Sequence, residues 1–284
     1  MRALFLAAAF GACATAAQAA SAPLTLAPDG HFTTPVTLNG QGPYDFTVDT
    51  GAQRPVLAPD LGAKLQLTSA PGVEIRATSG AGAARMTYVR DYKSGLFDLS
   101  NEMMAILPNA GMVTTGVVGM DAFTDKRLEL NFADHQVTSG ESAPTPKGFV
   151  PVPAMIVAGS FIIIDVVVDG VKAKAMVDSG ARRTIVNSLL QKALGFKAGD
   201  PRLTPDAAVG GATKDTTAAL KATVGSIAIG SIHFDRHVVT FADVPVLQSL
   251  GLSDRPAMIL GLDALKTLKA MAIDYPRAEL QIKS

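Results

Sequence analysis

The feature that most constrains this chain is an internal repeat. Residues 36–52 hold two β-rich runs joined by Asn-Gly and close with Asp-Thr-Gly-Ala, and residues 166–181 repeat that order with Asp-Gly and Asp-Ser-Gly-Ala. Asn-Gly and Asp-Gly predict tight β-hairpins, because both positions of such a turn favour positive φ. The repeat therefore indicates a gene duplication that produced two similar β-rich halves.

The likeness continues downstream of each Asp turn. A short helix is predicted at residues 59–65 and again at 188–194, and an apolar-apolar-Gly block at residues 117–119 returns at 259–261. We predict an all-β fold with a few short helices, formed by two lobes related by a pseudo-twofold axis. The predicted division is a lobe at 21–138, a linker at 139–148 that is rich in turn-forming residues, and a lobe at 149–284.

Each Asp turn has a composition suited to acid-base chemistry. Asp49 and Asp178 each end an apolar strand and are followed by a small hydroxyl residue and glycine. If the lobes meet about a twofold-like axis, both carboxyl groups share one pocket and cannot both ionise cheaply. One carboxyl group can then act as a base and the other as an acid, which suits the addition of water to an amide carbonyl.

The two turns, together with the blocks that end at Gly119 and Gly261, resemble the active-site signatures of retropepsin-like aspartic proteases. Pepsin likewise carries both halves in one chain, and this enzyme class is the standard example of paired carboxyl groups sharing a proton. The resemblance implies an aspartic endopeptidase that binds water between Asp49 and Asp178, with no covalent intermediate, cofactor or metal. It also implies a peptide or protein substrate and a monomer that is internally a pseudo-dimer.

The same resemblance assigns supporting roles around the aspartates. Thr50 and Ser179 are expected to brace the two turns by mutual hydrogen bonds, while Gly51 and Gly180 complete the turns.

Members of this family close a glycine-tipped β-hairpin, the flap, over the substrate. The candidates are Gly80 and Gly82 in the first half and Gly210 and Gly211 in the second. An ordinary surface hairpin is the alternative interpretation, because glycine is common at hairpin tips.

Arg54 and Arg183 each follow their Asp by five residues and are candidate substrate-subsite residues. An arginine there would favour acidic side chains in the peptide, or lower the apparent pKa of the pair if it lies within about 4–6 Å. A solvated loop charge or a structural ion pair is the alternative. Pro55 and Thr184 differ at the next position, which predicts a lopsided cleft.

The first residues predict export. Residues 1–20 read as a secretory signal peptide, with a positive start, an Ala-rich apolar run and a small-x-small pattern at 17–19. The expected location is the periplasm or the extracellular space. The chain's single cysteine, Cys13, lies in this leader, so the mature protein is expected to have no disulfide; a lipid anchor on Cys13 is a minor alternative.

Other functions fit the sequence less well. The net charge is zero and no Lys/Arg run is present, which argues against a nucleic-acid partner, and no segment after the leader suits a membrane span. His233 and His237 lie on a predicted strand roughly 13 Å apart, too far for one metal ion. A glycosidase also uses two acids, but does not explain duplicated Asp turns. The main alternative is a catalytically silent periplasmic peptide-binding protein with the same fold.

Overall fold

The computed structural model describes residues 19–77, 80–107, 114–210 and 216–284. The predicted signal peptide, and Cys13 with it, lies outside the described residues except for its last two positions, and Ala20 already begins the first strand.

Within these residues the secondary structure is mostly β, with short helices between the strands. The strands are β1 (Ala20–Pro23), β2 (Thr25–Leu26), β3 (Phe32–Leu38), β4 (Gln41–Val48), β5 (Val56–Leu57), β6 (Ser69–Ala77), β7 (Gly80–Ser94), β8 (Phe97–Ile106), β9 (Gly116–Val118), β10 (Arg127–Asn131), β11 (Gln136–Gly140), β12 (Val150–Val157), β13 (Phe161–Val168), β14 (Val171–Val177), β15 (Ile185–Val186), β16 (Thr204–Val209), β17 (Thr217–Ile229), β18 (Ile232–Phe241), β19 (Ala257–Leu260), β20 (Ala270–Asp274) and β21 (Glu279–Lys283). The helices are α1 (Pro59–Lys64), α2 (Ser188–Ala193), α3 (Pro245–Ser249), α4 (Leu262–Leu265) and a 3-10 helix at Met120–Phe123.

The two halves build the same sheet. The first half has the strand order β2-β3-β4-β9-β5-β8-β7-β6, and the second has β12-β13-β14-β19-β15-β18-β17-β16, so each strand has one counterpart at the same place. The extra pairing of β3 with β7 also returns as β13 with β17. The prediction of an all-β fold with two equivalent lobes is therefore confirmed.

The hairpins that open the two halves form as their turn residues predict. Asn39 and Gly40 have φ of 49° and 75°, and Asp169 and Gly170 have φ of 44° and 84°. Positive φ at two successive positions matches the right-handed twist of the flanking strands, and these residue types tolerate it. Each hairpin consequently delivers its second strand, β4 or β14, to the point where an Asp turn begins.

A six-stranded layer joins the halves. Strands β1, β10 and β11 come from the first half and β12, β20 and β21 from the second, and the antiparallel pair β10–β20 connects the two sets. All five residues of β20 are buried, which indicates that this strand is covered on both faces. Strand β11 ends at Gly140 and β12 begins at Val150, and the boundaries given for the two lobes and the linker stay a prediction.

Candidate active site

The two Asp turns meet across the interface between the lobes. The Thr50 hydroxyl donates to the Val177 carbonyl at 2.9 Å and accepts from the Ser179 N–H at 2.9 Å. The Ser179 hydroxyl donates to the Val48 carbonyl at 2.7 Å and accepts from the Thr50 N–H at 3.0 Å. These four hydrogen bonds are buried and reciprocal, so they hold the turns in a fixed, twofold-like arrangement.

Each turn glycine lies directly against the carboxyl group of the opposite turn. A Cβ built on Gly51 would lie 2.5 Å from the carboxyl carbon of Asp178, and one on Gly180 would overlap the carboxyl group of Asp49. The glycine N–H groups also donate to the carboxyl oxygen of their own turn at 2.8 Å. Both carboxyl groups are thereby brought into one site, and any side chain at either glycine would displace one of them.

The shared site makes the two carboxyl groups unequal. Burial, followed by the negative charge of Asp178, raises the pKa of Asp49 well above its usual range. Burial also raises the pKa of Asp178, but hydrogen bonds from Asp49 and from the N–H groups of Gly180 and Ala181 oppose that rise. Asp178 Oδ1 accepts the N–H groups of Gly180 and Ala181, whereas Asp49 accepts the Gly51 N–H, and the Gly180 N–H also acts against the rise in its pKa. Burial and the closeness of the two carboxyl groups therefore favour one proton shared between them over two ionised groups.

The blocks that end in Gly119 and Gly261 lie under the Asp turns. A Cβ at Gly119 would overlap the backbone of Arg54 and Pro55, and one at Gly261 would lie 2.5 Å from the backbone of Arg183. The residue after each glycine is hydrogen-bonded to its turn, from Met120 N to Ala52 O at 2.9 Å and from Leu262 N to Ala181 O at 2.7 Å. Glycine occurs at these two positions because the backbones approach too closely for a side chain.

Beneath the second turn lies a polar network that the sequence reasoning missed. Asp263 accepts hydrogen bonds from the N–H and hydroxyl of Thr184 at 3.0 and 2.7 Å, and His237 Nε2 lies 3.2 Å from the same carboxyl group. The first lobe has Pro55 where the second has Thr184, so this hydroxyl contact has no equivalent there. The recurrence of Asp two residues after each block glycine, as Asp121 and Asp263, was the available sequence signal.

The two candidate arginines are placed differently. Arg183 forms an ion pair with Asp206 at 2.8 Å and donates from both terminal nitrogens to the Ala207 carbonyl at 3.1 Å, so it fastens the second turn to strand β16. Arg54 lies near Asp121, where its charge opposes the rise in the Asp121 pKa that burial causes. A contact with substrate stays a prediction for both arginines.

The candidate flap glycines belong to two equivalent hairpins, β6–β7 and β16–β17. Gly80 pairs with Ala77 and Gly82 with Ile75, while Gly210 directly follows β16. Gly211 lies outside the described residues, as do positions 78 and 79 between β6 and β7. The flap role therefore stays a prediction.

A second feature that the sequence did not reveal is a contact from His31 to the second turn. The His31 Nε2 lies 3.0 Å from the Gly180 carbonyl oxygen, and its Nδ1 lies 2.6 Å from Asp29 Oδ2. The Asp-x-His spacing at 29–31 was the only sequence signal for the contact between Asp29 and His31, and nothing in the sequence indicated the contact with Gly180.

Two other kinds of feature are absent from the described residues. Among them, no three His, Cys, Asp or Glu side chains are grouped so that they could hold a metal ion. None of the helices in the described part of the chain has the length and apolar character needed to cross a membrane.

Comparison with known proteins agrees with this geometry. Residues 34–122 and 164–264 match a family model described as aspartyl protease, so the match falls separately on each lobe and includes both Asp turns. A comparison with curated proteins finds no match.

Proposed function

The chain belongs to the aspartyl protease family, and on this premise we propose that it is an endopeptidase in which Asp49 and Asp178 activate water. The observation that carries the proposal is the placement of each turn glycine against the opposite carboxyl group, which leaves both carboxyl groups in one site. Two carboxyl groups that share one proton supply an acid and a base at the same place.

The difference between the aspartates supports a division of roles. Asp178, with its two backbone donors, acts as the base that removes a proton from the bound water as the water oxygen attacks the scissile carbonyl carbon. Asp49, whose pKa is raised by burial and by the Asp178 charge, gives its proton to the carbonyl oxygen. A neutral tetrahedral gem-diol results, without a covalent bond to the protein.

Breakdown of the gem-diol reverses the two roles. The proton now on Asp178 passes to the amide nitrogen as the C–N bond breaks, and a hydroxyl of the gem-diol returns its proton to Asp49. The products are a carboxylic acid and an amine, and the pair regains its starting protonation. The buried hydrogen bonds of Thr50 and Ser179 keep the carboxyl groups in position throughout, so little reorganisation is needed at the moment of reaction.

The decisive experiment compares wild type with Asp49→Asn and Asp178→Asn on a library of extended peptides, with cleavage read by mass spectrometry. Asp165→Asn is the matched control, because Asp165 is an exposed carboxylate that pairs with Lys174 on β13 and β14. We expect wild type and the control to cleave the same bonds, and each active-site variant to lose at least about 1,000-fold in kcat/KM.

Two results would overturn the proposal. Cleavage by the Asn variants at the wild-type rate would remove the aspartates from the mechanism. Binding of peptides by a folded wild-type protein that cleaves none of them would instead identify a silent peptide-binding protein.

We further propose that the protein is exported and that the predicted signal peptide, residues 1–20, ends one residue earlier, at Ala19. Strand β1 begins at Ala20, so cleavage directly after residues 17–19 leaves every residue of β1 in the mature protein. Expression in a Gram-negative host should yield a periplasmic product, and its intact mass should correspond to a chain that begins near Ala20. A full-length product retained in the cytoplasm would contradict the proposal.

A further inference from the structure

His31 is held between two hydrogen-bond acceptors. Its Nδ1 lies 2.6 Å from the Asp29 carboxyl group and its Nε2 lies 3.0 Å from the Gly180 carbonyl oxygen. A carbonyl oxygen accepts and never donates, so the Nε2 must carry a proton to make its contact. Burial opposes ionisation of Asp29, but the hydrogen bonds from His31 lower the pKa of Asp29 below its usual range, so this carboxyl group also accepts. Only a doubly protonated imidazolium can donate to both partners.

The Gly180 carbonyl belongs to the turn that carries Asp178. The N–H of the same residue donates to Asp178 Oδ1 at 2.8 Å, so Gly180 links the histidine to one member of the pair through a single residue. The positive charge of His31 also opposes the rise in the Asp178 pKa that burial causes. The contact therefore acts on both the geometry and the charge of the second turn.

The first turn has no equivalent group. Strands β3 and β13 correspond along their length, with buried Phe32 and Ile162 at the same position, and the residue before them is His31 in one lobe and Phe161 in the other. Phe161 is partly buried against an apolar cluster that also contacts Ala181. The position before the strand is therefore present in both lobes, but an ionisable ring occupies it in the first lobe alone. This difference points to a role for His31 that is specific to the Asp178 turn.

We propose that the Asp29–His31 pair positions the second Asp turn. When both ring nitrogens of His31 are protonated, the pair fixes the Gly180 carbonyl and favours the ionised state of Asp178. The inference rests on the proposed function, because it concerns the same two aspartates. Four charged groups act on this region. Asp29 contacts the imidazole, and Arg182 acts on Asp29 through its charge; Asp178 feels the charge of His31, and Asp49 lies across the site.

The charge of His31 should affect the pH profile of cleavage. The acid limb of the profile follows the protonation of Asp178, and a nearby positive charge moves that limb to lower pH. Loss of the charge should move the limb to higher pH by roughly half a pH unit to one unit. A purely structural role for His31 would lower the rate or the stability without moving the limb.

Three variants separate charge from packing. His31→Gln keeps a donor for the Gly180 carbonyl but has no charge, His31→Phe copies the residue of the other lobe, and Asp29→Asn removes the ionised acceptor. We expect the acid limb to move upward in all three and kcat/KM to fall roughly tenfold in His31→Phe, as expected for the loss of one buried hydrogen bond.

A second readout does not depend on cleavage. In full-length protein labelled with ¹⁵N-histidine, the two ring nitrogens of His31, assigned from the His31→Gln spectrum, should both carry protons at about pH 6. In a second sample labelled with ¹⁵N-glycine, the Gly180 amide resonance should shift when the ring loses a proton.

A singly protonated ring at this pH, or an acid limb that coincides in wild type and His31→Gln, would overturn the inference. If wild type cleaves no peptide, the proposed function fails, and the ring protonation together with the Gly180 amide shift alone decides whether the pair positions the turn. The two failures are therefore distinguishable.

Discussion

The hydrogen bonds between the Asp turns make a quantitative prediction about stability. Thr50→Val keeps the size of a buried side chain but removes the hydroxyl that donates to the Val177 carbonyl and accepts the Ser179 N–H. Because the substitution leaves almost no cavity, its effect isolates the two lost hydrogen bonds. Thr115→Val is the matched control, since its hydroxyl makes a bond of 2.7 Å to the Asp45 carbonyl at the exposed surface.

The expected magnitude follows from burial. An unpaired polar group buried away from water costs about 1–3 kcal/mol, and Thr50→Val leaves a carbonyl and an N–H without their partner, so we expect a loss of about 2–6 kcal/mol. In the control, water can replace the lost hydroxyl, and we expect a loss of about 1 kcal/mol or less. The difference between the variants is the value of making these bonds in the interior.

Urea unfolding followed by far-UV circular dichroism measures both values, because the chain has no tryptophan and therefore lacks the usual fluorescence probe. The slope of the transition should stay the same in wild type and in both variants. If Thr50→Val loses no more free energy of unfolding than Thr115→Val, the cross-lobe hydrogen bonds do not stabilise the interface.

Three further predictions test neighbouring parts of the site. Gly261→Ala would place a Cβ 2.5 Å from the Arg183 backbone, so its urea midpoint should correspond to a loss of at least about 1–3 kcal/mol; an unchanged midpoint would contradict the close approach. Asp49→Asn should stabilise the fold at pH 7 by on the order of 1 kcal/mol or more and by little near pH 3. The sign follows because the folded-state pKa of Asp49 is raised, so the folded protein binds the proton more tightly and loses stability as pH rises; equal gains at both pH values would refute it. Arg183→Ala breaks a partly exposed ion pair with Asp206 and should lower the free energy of unfolding by about 1 kcal/mol. It should also raise KM more than it lowers kcat, and kinetics identical to wild type would exclude a role at the cleft.

Local features of the sequence were sufficient for the repeated architecture. Asn-Gly and Asp-Gly turns, with the β-rich runs beside them, predicted the two opening hairpins. The helices predicted at 59–65 and 188–194 occur at Pro59–Lys64 and Ser188–Ala193. These elements depend on backbone preferences and on neighbours within a few residues, which is the range that a sequence pattern describes. The order of the repeated blocks then predicted two equivalent lobes.

The inequality of the two lobes was decided by tertiary contacts. The sequence did not show which residues Arg183 and His31 contact. Asp206 lies 23 residues from Arg183, and the Gly180 carbonyl lies 149 residues from His31. Likewise, nothing in the two nearly identical turns indicated that the surroundings of the two aspartates differ. The burial that raises the pKa of both carboxyl groups, and the His31 charge that opposes the rise in Asp178, exist only once distant segments have packed together.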